Sequence, residues 1–181
     1  MRRGLAALLL MAASITATGA GRVSRSSVAA LEKSFDRRLQ SDVLEGDTFS
    51  LLGWTRGIYI EGFGVVYSAE VQLAQIPGIS PFHKEHTQQD WARVRQKKLQ
   101  RLPALRAAMK QMMLDTASSL DGVASEEKVV LGVSLTTHPS EDSSGVPAQI
   151  VMQGVKRDLV DVQTGKRTRA QLDSLLKVQE F

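Results

Sequence analysis

Hydrophobic and polar positions repeat with two different periods along the chain, and each change of period marks a new element. Residues 27–40 carry apolar side chains at helical spacing, which predicts a first helix behind a serine N-cap. Between Arg56 and Ala74 the pattern becomes alternating, which predicts two strands joined by a turn at 61–64. Residues 128–137 alternate again, and residues 149–155 are apolar enough to form the next strand, so the two segments predict a second hairpin with a long loop.

The longest helical signal lies between the two predicted hairpins. From Trp91 to Leu120 the apolar residues stay within one stripe that is about 100° wide. Pro103 lies inside this segment, and a proline bends or ends a helix because it has no amide hydrogen to donate. Since the stripe keeps its phase across Pro103, either one helix bends there or a second helix starts there.

Shorter helical patterns follow the second hairpin. One is expected to end near Gly165, and a capping box of Thr168 and Gln171 predicts a final helix. Helices and hairpins are therefore segregated along the chain, which indicates an α+β fold. We expect residues 21–181 to form one domain, with an antiparallel four-stranded sheet built from two hairpins. A long helix kinked at Pro103 should cover one face of this sheet, with further helices at both ends of the domain.

The first 20 residues have the pattern of a secretory signal peptide. Arg2 and Arg3 give a charged start, an apolar run follows over residues 5–17, and small residues lead to Ala20. The run is shorter than the roughly 20 apolar residues that a membrane span needs, so we expect cleavage after Ala20. An uncleaved anchor is the alternative. The predicted location is therefore periplasmic or secreted.

Charge and cysteine content narrow the possible chemistry. The chain has 23 Lys and Arg against 19 Asp and Glu, and loss of residues 1–20 would remove two of the basic residues. The small excess that remains gives little support to nucleic-acid binding. The chain has no cysteine, which excludes disulfides, lipid attachment to cysteine and thiol catalysis. An exported domain of this kind must be stabilised by packing alone.

A pair of histidines is the nearest approach to a metal motif. His83 and His86 are three residues apart, and histidines on one helical turn can share an ion when a third ligand joins them. Glu85 and His138 are the candidates for that third ligand. The pair lies in a proline-bounded segment that is expected to be a loop, and its spacing differs from the zinc-protease motif. Two solvated loop histidines are therefore the favoured interpretation, and a metal site is the alternative.

The start of the long helix is rich in basic residues. The candidate binding residues on it are Arg93, Lys97, Lys98 and Arg101. Such a face can bind anionic head groups or acidic envelope polymers, although a solvated polar face explains the pattern more simply. Because Lys98 falls on the apolar stripe, we expect the first turns of the helix to extend beyond the core.

The first hairpin concentrates aromatic residues, and two of them are candidate binding residues, Tyr59 and Phe63. Packing in the core and across strands explains most of this cluster, whereas an aromatic patch at a sheet edge can also receive a partner strand. Gly62 and Gly64 flank Phe63. We interpret them as turn glycines and not as a phosphate loop, because a strand is predicted to follow them where a phosphate site would need a helix.

Elsewhere the sequence offers few catalytic candidates. The serine-hydrolase motif Gly-x-Ser-x-Gly does not occur, and Glu70 and the pair Asp158 and Asp161 are the carboxylates considered for acid–base chemistry. The segment from Gly57 to Tyr67 resembles a hairpin of uncharacterised exported bacterial proteins. That resemblance implies no activity and no site residues.

These patterns favour an exported, non-enzymatic envelope protein that binds another envelope protein or an acidic envelope surface. The alternative is an exported metal-dependent hydrolase that uses His83 and His86. The favoured interpretation implies no cofactor, no nucleic acid and at most peripheral contact with a membrane. The sequence leaves the oligomeric state and the ligand open.

Overall fold

The structure, a computed structural model, describes residues 23–46, 51–75 and 87–181. A mixed five-stranded sheet forms one layer, and helices pack against one of its faces. The strands lie across the sheet in chain order: β1 (Arg56–Ile60), β2 (Gly64–Val71), β3 (Lys128–Leu135), β4 (Gln149–Val155) and β5 (Lys177–Glu180). The α+β class and both predicted hairpins are confirmed.

The pairing between the two hairpins differs from the prediction. β2 and β3 are parallel, with Gly64 opposite Lys128, whereas the other three pairs of strands are antiparallel. The reason is the long helix α2 (Gln88–Ser119), which follows β2 and returns the chain to the end of the sheet where β2 began. Parallel strands need such a crossover. The expectation of an all-antiparallel four-stranded sheet is therefore wrong.

The first two helices lie close to their predicted positions. α1 (Arg25–Arg38) continues into a π-helical turn (Leu39–Val43), and α2 begins at a capping box whose N-cap is Thr87. α2 runs through Pro103 without interruption, so the alternative in which a second helix starts at Pro103 is wrong. Pro103 lies on the exposed side of the helix.

The C-terminal region contains shorter elements than predicted. α3 (Lys156–Gln163) follows β4, and the capping box at Thr168 then starts a 3-10 turn (Arg169–Gln171) and a single helical turn, α4 (Leu172–Leu175). The chain next enters β5, which the sequence did not reveal. β5 has one apolar side chain, Val178, and all four of its residues are exposed, so its backbone pairing with β4 defines it.

One buried cluster joins the helices to the sheet. The inward residues of β2 and β3 are the alternating sets that the sequence predicted, among them Val65, Tyr67, Val129 and Leu131. α2 covers them with residues of its apolar stripe, among them Leu105, Met109 and Met113. Apart from Gly64, the other residues of the same strands are partly or fully exposed. We call the surface that they form the open face of the sheet.

Candidate binding surface

Large apolar side chains are exposed at the β1 end of the sheet. Of the seven that are exposed among the described residues, five lie just before or within the first hairpin: Leu52, Trp54, Ile58, Ile60 and Phe63. We call these five residues the hairpin patch. Trp54 is 65% exposed and Ile58 is 59% exposed, so most of their apolar surface contacts water. Single exposed apolar residues are ordinary on a protein, whereas a cluster of them is typical of an interaction surface.

Strand geometry extends the hairpin patch across the open face. Ile58 and Ile60 occupy alternate positions of β1, so both side chains lie on the same face of the sheet. Ile58 is opposite Val66 of β2, and Val66 is opposite Val130 of β3. Both valines are partly exposed. An apolar row therefore crosses three strands from the edge of the sheet towards its centre.

The two aromatic residues predicted to bind a partner have different surroundings. Phe63 is exposed in the turn, and the ammonium group of Lys128 lies 5.5 Å from the centre of its ring, a cation–π contact. Tyr59 is half-buried, and its hydroxyl donates a hydrogen bond to Glu127 at 3.0 Å. Burial and the hydrogen bond to Glu127 raise the pKa of Tyr59. Tyr59 therefore anchors the hairpin, whereas Phe63 is accessible to a partner.

A buried glutamate holds the turn of the first hairpin. Besides the Tyr59 hydroxyl, Glu127 accepts hydrogen bonds from the amides of Gly62 and Ala124, both at 2.9 Å. Gly62 lies in the turn and Gly64 begins β2, with φ angles of 76° and 126°, so a strand and not a helix follows the turn and they are glycines of a turn, as predicted. The turn that carries Phe63 is thus attached to the start of β3.

Two carboxylates of α1 occupy the outer edge of β1. Glu32 accepts a hydrogen bond from the amide of Gly57 at 2.6 Å, and Asp36 accepts one from the amide of Thr55 at 2.9 Å. The distance between the two carboxylates along the helix matches the distance between the two amides along the strand. Four residues of helix rise about 6 Å, and two residues of strand extend about 6.7 Å. Since these two edge donors already have acceptors, addition of a partner strand at this point is disfavoured.

Charge also stabilises this edge. Burial would raise the pKa of Glu32, but the guanidinium of Arg25 at 2.7 Å and the amide of Gly57 outweigh it and hold the pKa of Glu32 below its usual value. A carboxylate whose pKa is lowered by folding stabilises the folded state above its unfolded pKa. This contribution of Glu32 is therefore present at neutral pH and is lost as the pH falls through the lowered value.

Replacing Asp36 by alanine tests the role of these carboxylates. The Asp36→Ala change removes the acceptor of the buried Thr55 amide and hydroxyl, so the free energy of unfolding should fall by about 2 kcal/mol. As a control, Asp42→Ala removes an exposed carboxylate from the neighbouring π-helical turn and should cost less than about 0.5 kcal/mol. Urea denaturation measures both changes. An Asp36→Ala variant as stable as the control would contradict this role.

Two of the four basic residues predicted to form a binding face on α2 are buried. Lys98 is 2% exposed, and its ammonium group donates to the Glu141 carboxylate at 2.7 Å and to the Thr136 carbonyl at 2.9 Å. Arg101 is also buried, and it pairs with Glu45 at 2.6 Å. The expectation that Lys98 lies on an overhanging turn is wrong, because the loop that carries Thr136 and Glu141 packs over this part of α2.

Arg93 and Lys97 remain exposed on α2. They are four residues apart and therefore lie on one side of the helix. Arg93 lies 3.8 Å from the carboxylate of Asp90, and Arg95 lies 3.6 Å from that of Asp142. The exposed basic face of α2 is thus smaller than the sequence predicted.

The structure leaves the predicted metal site untested, because His83 and His86 lie outside the described residues. The third imidazole, His138, stacks on Trp91 with ring centres 4.9 Å apart, and its Nδ1 accepts a hydrogen bond from the Ser140 amide. Within the described ranges, no group of three His, Asp or Glu residues is placed to hold a metal ion.

The three candidate acid–base carboxylates form ion pairs or hydrogen bonds of the kind that is common at protein surfaces. Asp158 forms an ion pair with Arg167 at 3.2 Å, and Asp161 lies 3.6 Å from Lys166. Glu70 is exposed and accepts a hydrogen bond from the Thr136 hydroxyl. These contacts give no support to a catalytic role for the three residues.

The sequence interpretation assigned Ile58 and Ile60 to a strand but missed their exposure. A five-residue alternating segment does not show which of its faces meets the helices. Gly57 carried the missing signal, since a Cβ atom there would lie 2.5 Å from the Tyr67 ring and 2.7 Å from Val28. A glycine where another segment approaches the backbone this closely marks the face of β1 that is covered. The side chains of the residues next to it in the strand then lie on the opposite, outward face.

Within the ranges that the structure describes, no helix is both long and apolar enough to cross a membrane. Searches of protein families, curated proteins and solved structures found no match to this chain. The geometry of the hairpin patch and of the surface around it is therefore the basis for assigning a function.

Proposed function

We propose that this chain is a non-enzymatic binding module of the cell envelope, and that it docks on another protein through the hairpin patch. The observation that carries the proposal is the concentration of exposed apolar side chains around β1, beside the open face of the sheet. Burying such side chains at an interface is favourable by about 25 cal/mol for each Å² of apolar area. The predicted signal peptide supports a location in the envelope.

The shape of this surface suits a protein better than a small molecule. The row formed by Ile58, Val66 and Val130 lies across strands of a sheet, whereas small-molecule sites are concave. Protein interfaces combine an apolar centre with aromatic and arginine side chains, and a polar rim surrounds them. Trp54 and Arg56 provide the aromatic and arginine groups next to this row, and Lys128 provides a charge beside Phe63.

Replacing the two exposed isoleucines tests the proposal. Threonine keeps the branched shape that strands favour but adds a hydroxyl, so Ile58→Thr with Ile60→Thr should preserve the fold and weaken apolar docking. We expect affinity capture from an envelope fraction to recover at least one protein on the wild type. Its yield should fall about tenfold on the double variant.

Val178→Thr is the matched control, because Val178 is an exposed apolar residue on β5 at the opposite edge of the sheet. The control should capture the same proteins as the wild type. Thermal unfolding of all three proteins checks that the fold is intact. If the double variant is well folded and captures the same proteins in the same amounts as the wild type, the proposed function is wrong.

A further inference from the structure

A groove between α1 and the segment that enters β1 adjoins the hairpin patch. Its volume is about 680 Å³, within the range of about 300–1,000 Å³ that is common for ligand sites. Its walls include Ala30, Lys33, Arg37, Trp54 and Arg56. We call this feature the α1 groove. Because Trp54 belongs both to the groove and to the hairpin patch, one partner can contact both surfaces.

The rim of the α1 groove is positively charged. Lys33, Arg37 and Arg56 are all exposed, and none of them forms an ion pair with a carboxylate of the described residues. By contrast, Arg106 and Lys110 on α2 are held by carboxylates at 2.7 and 2.5 Å. The groove thus gathers three cations without an ion-pair partner among the described residues, although Arg56 also attracts the Glu32 carboxylate at longer range.

The acidic residues at the floor of the groove are occupied within the protein. Glu32 is paired with Arg25 and the Gly57 amide, and Asp36 accepts hydrogen bonds from Thr55. Both carboxylates are buried, whereas the rim cations are exposed to solvent. An incoming anion therefore meets the cations first.

The length of the groove fits an extended chain. Its helical wall runs from Ala30 in α1 to Gln40 in the π-helical turn, which corresponds to about 15 Å along the helix axis. An extended peptide covers that distance with four or five residues at about 3.3 Å each. Trp54 offers a large apolar side chain beside the cations, so the groove combines charge with an apolar contact.

We infer that the α1 groove binds an extended acidic segment of the partner protein, an inference that rests on the proposed function. Carboxylates of the segment pair with Lys33, Arg37 and Arg56, and an apolar side chain of the segment packs on Trp54. The guanidinium groups of the two arginines can each hold a carboxylate through two parallel hydrogen bonds. Recognition is by side chains, because Glu32 already occupies the Gly57 amide of β1 and Asp36 the Thr55 amide just before it.

The test is direct binding of a fluorescein-labelled peptide of glutamate residues around a single phenylalanine, measured by fluorescence anisotropy on the purified protein. The double variant Lys33→Gln with Arg37→Gln removes two rim cations that are four residues apart on α1. Arg93→Gln with Lys97→Gln is the matched control, because it removes two exposed cations at the same spacing on α2. Both variants lose the same net charge.

We expect the groove variant to bind the peptide about tenfold more weakly than the wild type, and the control to differ by less than about twofold. Added salt should weaken binding to the wild type, since exposed charges are screened over about 8 Å at physiological ionic strength. No binding to the wild type, or equal losses in the two variants, would overturn the inference.

Polygalacturonate is the competing probe, since it carries carboxylates on a sugar chain. The wild type could bind polygalacturonate more tightly than the peptide, and the groove variant could lose that binding. This result would overturn the acidic-segment inference and indicate a site for an anionic glycan. The capture experiment with the Ile58 and Ile60 variant reports on the hairpin patch independently. Capture by the wild type that is lost in the Ile58 and Ile60 variant, together with no peptide binding, would overturn the acidic-segment inference alone. Peptide binding together with capture that is unchanged in that variant would overturn the proposed function.

Discussion

A Gly64→Ala variant should lose about 4 kcal/mol of unfolding free energy. Gly64 has a φ of 126°, a conformation that residues with a side chain rarely adopt. A Cβ atom at this position would also overlap the backbone carbonyl oxygen of Lys128. No rotamer change can relieve a clash with backbone, so the first pair of the parallel β2–β3 pairing must separate. Urea denaturation measures the loss.

Gly62→Ala separates the two causes of this effect. Gly62 also has a positive φ, 76°, but no described atom lies within 4 Å of the position that its Cβ would take. This variant should therefore lose only about 1–2 kcal/mol, the cost of the left-handed conformation alone. Equal losses in the two variants would show that the close approach of Gly64 to Lys128 has no part in the stability.

A Lys98→Met variant should lose about 4 kcal/mol of unfolding free energy at neutral pH. The side chains of Lys98 and Glu141 are 2% and 0% exposed, and their charged groups are 2.7 Å apart. Methionine fits the same space but leaves the Glu141 carboxylate buried without its cation. The second oxygen of that carboxylate has no hydrogen-bond partner among the described residues, and the first would keep only the backbone amide of His138, at 3.3 Å. Urea denaturation of this variant measures the loss.

Two further variants make the expected loss specific to the buried pair. Lys98→Met with Glu141→Leu removes both charges, and its stability should return to within about 2 kcal/mol of the wild type. Lys97→Met changes the exposed neighbour and should cost less than about 0.5 kcal/mol. A double variant no more stable than Lys98→Met would contradict this explanation, and so would a loss in Lys97→Met equal to that in Lys98→Met.

The local elements could be predicted because their signals lie in neighbouring residues. Alternation located β2 and β3 to within a few residues, a short apolar segment located β4, and the helical spacing of apolar residues located α1, α2 and α3. β5 escaped prediction, because four exposed residues with a single apolar side chain carry no pattern. Its assignment depends on hydrogen bonds to β4, and these are set by residues distant in the sequence.

The candidate surface could be predicted only in part, because exposure depends on what packs against a segment. The concentration of aromatic residues pointed to the first hairpin, and Phe63 is accessible there. Tyr59 shares that sequence context but bonds to Glu127, which lies 68 positions later in the chain. Lysine is likewise a residue type that normally lies at the surface, and the burial of Lys98 depends on a glutamate 43 positions away.

The sequence by itself determined the periods of the strands β2 and β3 and of the three longer helices, the turn glycines of the first hairpin and the α+β class, because these follow from side-chain spacing and local backbone preference. The tertiary structure alone decided that β2 and β3 run parallel, that Lys98 and Arg101 are internal, and that the apolar side chains of β1 face outward. Each of these outcomes depends on contacts between segments far apart in the chain, and such contacts leave no periodic trace in either segment.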